Sequence, residues 1–276
     1  MKILFYDIET SLMLNTTFSL GKQVVNHKSL MKGYFSRNRI ITLSYKWSDQ
    51  KRVHALDWGH GEEDEKAMIK KFDQEIRRAD VIIGKNNRRF DDKHINAARM
   101  WFELEGMPEW IRYNDDLESQ IRKYFSLPSY SLDYLSEQLD IGGKDPMCLD
   151  DWKQLNDYRM YQLAPDSIDL IEVITGKSIS QVKKEGRAAL KKMIKYNKKD
   201  VEDTEYIWNY CVKHFEPKYN NSINDLACVN CGSPNIHCNG KRRSGKTLYQ
   251  QYFCKDHGGY AGRAPISKTG KIGQIG

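Results

Sequence analysis

The chain has 276 residues, 29% of them charged, and carries a formal net charge of +7. Mean hydropathy is −0.72, and no apolar run approaches the roughly 18 residues that span a bilayer. The composition therefore excludes a membrane-spanning protein, and the opening residues, which run straight into an acid-bearing strand, lack a secretion-signal pattern.

In chain order, Lys2 to Thr10 opens with apolar, β-prone residues and reads as a strand. A polar stretch leads to Arg39–Trp47 and Arg52–Trp58, whose alternation and β-branched residues predict paired strands. After the acidic turn Gly59–Asp64 a helical pattern runs from Glu65 to Arg78. Ala79–Gly84 is a short apolar strand of the kind buried on both faces. Helices follow around His94–Glu105, Leu117–Phe125 and Ser131–Leu139, and Ser180–Phe215 is a long helix. Strands alternating with helices predict an α/β or α+β layer fold. Residues 1–217 form this domain. The polar, Asn-rich stretch 218–225 reads as a linker, and 226–276, with short strands, glycines and cysteines, as a second, small domain.

The charge is uneven. Residues 218–276 hold nine Lys/Arg and two Asp/Glu, so the whole excess of +7 sits in the tail and residues 1–217 are neutral. Such asymmetry marks a nucleic-acid contact, with a solvated basic tail as the plainer alternative. Cysteines fall at 148, 211, 228, 231, 238 and 254, four of them in the last 50 residues. Their clustering, without a secretion signal, favours a metal site in a reducing, cytoplasmic compartment over a disulfide framework. Cys148 and Cys211 read as free buried thiols, and Trp101, Trp152 and Trp208 as core.

Asp7 and Glu9 carry the chemistry. Positions i and i+2 of a strand share a face, and two carboxylates there repel and resist desolvation unless a cation compensates. Taken alone they also read as solvent-facing strand-end acids. Asp91 follows the buried strand and a turn, where a loop-to-helix junction can present a carboxylate to a cleft; Asp92 is its neighbour and competitor, and either suits a helix N-cap. Tyr196 and Asp200, at i and i+4, share one helix face.

In order, strand Asp-x-Glu, then Phe90-Asp91 after a buried strand, then Tyr196-x-x-x-Asp200 resembles the DnaQ-like, ribonuclease H-like 3′→5′ exonucleases with four acids and a tyrosine, the plan of polymerase proofreading domains. Ile82-Ile83-Gly84-Lys85-Asn86 with Arg89-Phe90-Asp91 looks like that family's second motif, and Ser131–Leu135 with Leu139–Lys144 like the region between motifs. The layout with a cysteine-rich tail is similar to exonuclease-like proteins of tailed bacteriophages. The resemblance implies a ribonuclease H-like fold, a central mixed sheet flanked by helices, and two Mg²⁺ or Mn²⁺ ions, for which hard oxygen donors are suited. It implies that Asp7 bridges the ions, that Glu9 and Asp200 complete the site of the attacking water, and that Asp91 holds the second ion. Tyr196 would orient that water, since a neutral phenol positions better than it removes a proton. Asn86 and Phe90 would shape the cleft at the substrate terminus.

In the tail, Cys228-x-x-Cys231 and, 22 residues later, Cys254-x-x-His257 have the paired spacing of a structural tetrahedral Zn²⁺ site, with a gap longer than the usual 15–20 or so. The stretch looks like the zinc ribbons of transposases and phage nucleases, which usually place cysteine where His257 stands; His237 and Cys238 are reserves for the fourth ligand. Lys241, Arg242, Arg243 and Lys246 would neutralise phosphates, and Tyr249, Tyr252 and Phe253 would stack on bases or, as expected for Phe253, pack the small core. The expected partner is nucleic acid, DNA before RNA, with replication or recombination proteins beyond it and no membrane. A ribonuclease or structure-specific nuclease on the same site, and a non-catalytic nucleic-acid adaptor, are the competing readings.

Overall fold

The computed structural model describes residues 2–13, 37–59, 62–106, 113–142, 146–215, 228, 235–256 and 258–266. The chain divides into two compact units, Lys2–Tyr210 and Cys211–Gly276.

The first unit is a mixed α/β layer structure. Its five-stranded sheet has the order β3 (His54–Asp57), β2 (Ile40–Trp47), β1 (Ile3–Thr10), β4 (Val81–Gly84), β5 (Tyr113–Asp116). Strands β1, β2 and β3 pair antiparallel, whereas β1, β4 and β5 pair parallel. All four residues of β4 are buried, as its unbroken apolar sequence requires between two parallel neighbours. Helices α1 (Glu62–Ile76), α2 (Asp91–Trp101), α3 (Leu117–Tyr124), α4 (Leu132–Gln138), α5 (Leu149–Leu163), α6 (Ile168–Thr175) and α7 (Ile179–Cys211) surround it. Asp116 and Ser131 cap α3 and α4, accepting the amides of Ser119 and Tyr134 at 3.2 Å.

Alternation along β1 assigns the layers. Leu4, Tyr6 and Ile8 enter a core with Met68, Ile69, Phe72 and Ile76 of α1 and Ile95 of α2. The opposite face packs Ile41 and Trp58 against Leu155 of α5 and Ala189 and Met193 of α7. Asp7 and Glu9 share the second face with α7. A five-stranded mixed sheet with helices over it is compatible with a ribonuclease H-like fold. Among the described residues no helix is long and apolar enough to cross a membrane.

Several expectations need correction. The helix expected over His94–Glu105 runs from Asp91 to Trp101 and ends as Glu103 turns to a positive φ of 53°. Strand β5 and helices α5 and α6 have no counterpart in the sequence reading. Trp101 is 57% exposed rather than core, because it ends α2 beyond the helix's buried stripe, while Trp208 is buried and Trp152 half-buried. Cys148 is exposed, since it sits ahead of α5 with its amide donating to Asp151 Oδ2 at 2.8 Å; Cys211 is buried as expected.

The second unit contains an antiparallel sheet, β6 (Ile236–Ser244), β7 (Thr247–Cys254) and β8 (Gly259–Ile266). The two-residue turn Gly245-Lys246 joins β6 to β7, and the φ of +56° at residue 245 explains the glycine. One sheet face packs Cys228, Tyr252, Cys254, Ala261 and Ala264 together. Tyr252, not Phe253, supplies the core ring, because alternation along β7 puts the two on opposite faces. The expected linker 218–225 lies outside the described residues, as do Cys231 and His257.

Candidate metal centre

Three carboxylates from distant segments meet at the C-terminal half of β1. Single oxygens of Asp7, Glu9 and Asp200 all lie within 4.8 Å of one another. Asp200 reaches them from α7, whose buried stripe runs through Val182, Ala189 and Met193, turns polar at Asn197 and Asp200, and resumes with Val201, Ile207 and Trp208. Asp200 is 5% exposed. Like charges this close repel by on the order of 3 kcal/mol per pair at an effective dielectric of about 20. Oxygen-only donors at this separation suit a hard divalent cation, so the cluster can hold one.

Asn197 was not foreseen. It is fully buried, and its side-chain amide donates to Asp7 Oδ2 at 2.7 Å while its carbonyl oxygen faces the Thr42 hydroxyl, a long 3.5 Å contact. Its signal in the sequence was a polar residue where the helix stripe calls for an apolar one, three residues before Asp200.

Asp91 is not part of the three-acid cluster. It is 2% exposed, at the first turn of α2, and its Oδ1 accepts the Ile8 amide at 3.0 Å. Pairing of β1 with β4 stops at Phe5, so this carboxylate takes an amide beyond the end of the strand partner, between Asp7 and Glu9 in sequence. Burial above all pushes its carboxyl up to about 7, with Asp92 and Asp116 adding to the rise and the Ile8 and Asp91 amides opposing it. Asp92 is engaged elsewhere. It accepts a short hydrogen bond from Tyr6, whose hydroxyl also accepts from Asn87 Nδ2 at 2.9 Å. Burial, followed by the negative charge of Asp92 and Asp91, raises the Tyr6 phenol well above its ordinary pKa.

Asn86 sits at a left-handed φ of 60°, with its amide donating to Asp116 Oδ1 at 3.0 Å, and Phe90 is 41% exposed with its ring 4.5 Å from that of His94. Tyr196 is half-buried and lines a cavity of about 540 Å³ with Asp133, Ser136, Met147 and Asp203. Along α7, Lys191 and Lys195 are exposed, Lys192 pairs with Asp151 at 2.7 Å and Lys199 pairs with Asp203 at 2.5 Å.

In the second unit, Lys241, Arg242 and Arg243 are exposed on β6 and Lys246 occupies the turn. Cys228 and Cys254 are buried in one cluster, His237 packs on Phe253 at 5.4 Å between ring centroids, and Cys238 is exposed.

The chain is similar to the family B DNA polymerase from the hyperthermophilic archaeon Pyrobaculum calidifontis, with a TM-score of 0.51 and 16% identity over 76% of this chain. It spans 24% of that polymerase's length, and at this identity the likeness is one of fold. No protein-family model and no curated protein matches the chain.

Proposed function

We propose that the chain is a metal-dependent 3′→5′ exonuclease of the four-acids-plus-tyrosine type, acting on DNA through the first unit. The observation that carries this reading is the convergence of Asp7, Glu9 and Asp200 oxygens within 4.8 Å. Fold likeness to a DNA polymerase, over about a quarter of that enzyme's length, supports it, because the sequence motifs resemble proofreading exonucleases.

Divalent ions bound there would activate a water and stabilise charge on the attacking and leaving oxygens. Asp7, Glu9 and Asp200 would hold them. Asn197 donates to Asp7 Oδ2 and would hold that carboxylate in place as a ligand. Asp91, anchored on the Ile8 amide, would serve the second ion once deprotonated. Tyr196 would orient the water, and Asn86 and Phe90 would border the substrate's 3′ end. In the second unit, Cys228, Cys231, Cys254 and His257 would bind a structural Zn²⁺, and Lys241, Arg242, Arg243 and Lys246 would contact phosphates.

The test is digestion of 5′-labelled single- and double-stranded DNA and RNA with Mg²⁺, with Mn²⁺ and with chelator. Progressive shortening from the 3′ end, blocked by chelator and strongest on DNA, is expected. Absence of chelator-sensitive cleavage on every substrate would overturn the reading, preferential RNA cleavage would move it to a ribonuclease, and internal cuts to a structure-specific nuclease.

A further inference from the structure

The sheet of the second unit has two unlike faces. One is the small core that holds Tyr252 and Cys254. On the other, strand alternation gathers Tyr249 and Phe253 of β7, and the register sets Arg242 and His237 of β6 and Tyr260 of β8 beside them. Arg263 joins this face, its guanidinium 4.4 Å from the Tyr249 ring centroid. Tyr260 is 45% exposed, and Arg242, Arg263 and His237 are exposed as well. No acid lies within β6, β7 or β8, and Asp256, just beyond β7, accepts from Asn235 at 2.7 Å. Lys241 and Arg243, by the same alternation, fall on the opposite side of β6 from Arg242.

We infer that this face is a stacking platform for single-stranded nucleic acid. Aromatic rings interleaved with cations match the two things an unpaired strand exposes, base faces and phosphates. A duplex hides its base faces, so the rings discriminate in favour of single strands. Tyr249 and Phe253 are four residues apart, about 13 Å along the strand, which leaves room for a few splayed bases. Recognition of this kind tolerates any sequence, since every base has a π-face. The inference rests on the reading of the second unit as a nucleic-acid-binding module and is independent of the cleavage chemistry.

The experiment uses the full chain carrying Asp7→Ala, to keep the probe intact, and fluorescence anisotropy with a labelled oligothymidylate and a blunt duplex. Tyr249→Ala and Tyr260→Ala are each expected to weaken oligothymidylate binding roughly 5- to 150-fold, the range for loss of one stacked base. Duplex binding should stay as it was, Tyr260→Phe should keep parental affinity, and Arg243→Ala, on the other face, should weaken both probes alike. Circular dichroism controls for folding; if Tyr249→Ala does not fold, the exposed Tyr260 decides. Parental oligothymidylate binding by Tyr260→Ala, or equal loss on both probes, would overturn the platform. A parallel digestion by the otherwise unaltered protein separates the two readings. Cleavage with unchanged binding by the tyrosine variants retains the nuclease and removes the platform. No cleavage, with binding lost in those variants, does the reverse.

Discussion

The side-chain amide of Asn197 donates to Asp7 Oδ2 at 2.7 Å, tying the central strand to the long helix α7 across 190 residues of sequence. A carboxylate held this way keeps its orientation, and under the proposed function it is a ligand of the metal ion. Asn197→Ala is therefore expected to weaken Mn²⁺ binding about 10- to 100-fold, the usual cost of losing a partner that orients a ligand. Titration calorimetry measures this, and unchanged affinity would show that Asp7 is fixed by other contacts.

Asp91 predicts a pH dependence. Its carboxyl is raised to about 7 in the fold, against about 4 in an unfolded chain. The folded protein thus holds the proton more tightly. The stabilisation from that proton is complete below about pH 4 and is lost as pH rises through about 7. The Tm of magnesium-free protein should fall from about pH 6 to about pH 8, and Asp91→Asn should remove much of that fall. Parallel pH profiles for parent and variant would contradict the assignment.

Gly186 tests the packing of α5 on α7. A Cβ there would stand 2.1 Å from Tyr158 Cβ and 2.5 Å from its Cγ. In a free helix, Gly→Ala gains up to about 1 kcal/mol, but overpacking costs about 1–3 kcal/mol. Gly186→Ala should lower stability in denaturant unfolding; a more stable variant would show that the two helices are further apart.

Glu65 is the buried anchor between α1 and β2. It accepts from Arg39 at 3.2 Å and from the Ile40 amide at 3.1 Å, and Arg39 is only 4% exposed. Glu65→Ala removes the buried carboxylate that pairs with this guanidinium and should cost about 3–5 kcal/mol. Glu65→Gln, which can still accept the Ile40 amide, should cost less.

Much of the first unit was legible because its sequence periods are simple. The strand acids Asp7 and Glu9, the unbroken apolar β4 and the stripe of α7 each follow from local pattern. Helix α5 did not, because its buried face includes Asn156, Tyr158 and Arg159. Arg159 is fully buried yet donates to the Trp58 carbonyl at 2.9 Å and lies 4.7 Å over the Trp58 ring, contacts that no periodicity reports. Helix α6 inverts the rule, with Leu170, Val173 and Ile174 each more than half exposed. Asn197 went unseen because its partners, Asp7 and Thr42, are remote in sequence. Phe253 was misassigned because short strands leave the inward face undecided until register fixes it.

The measurement closest to the central claim is anomalous scattering from crystals of the full chain soaked in Mn²⁺. An ion is expected within about 2.2 Å of carboxylate oxygens from Asp7, Glu9 and Asp200. A saturated crystal with no ion among these three residues would contradict it.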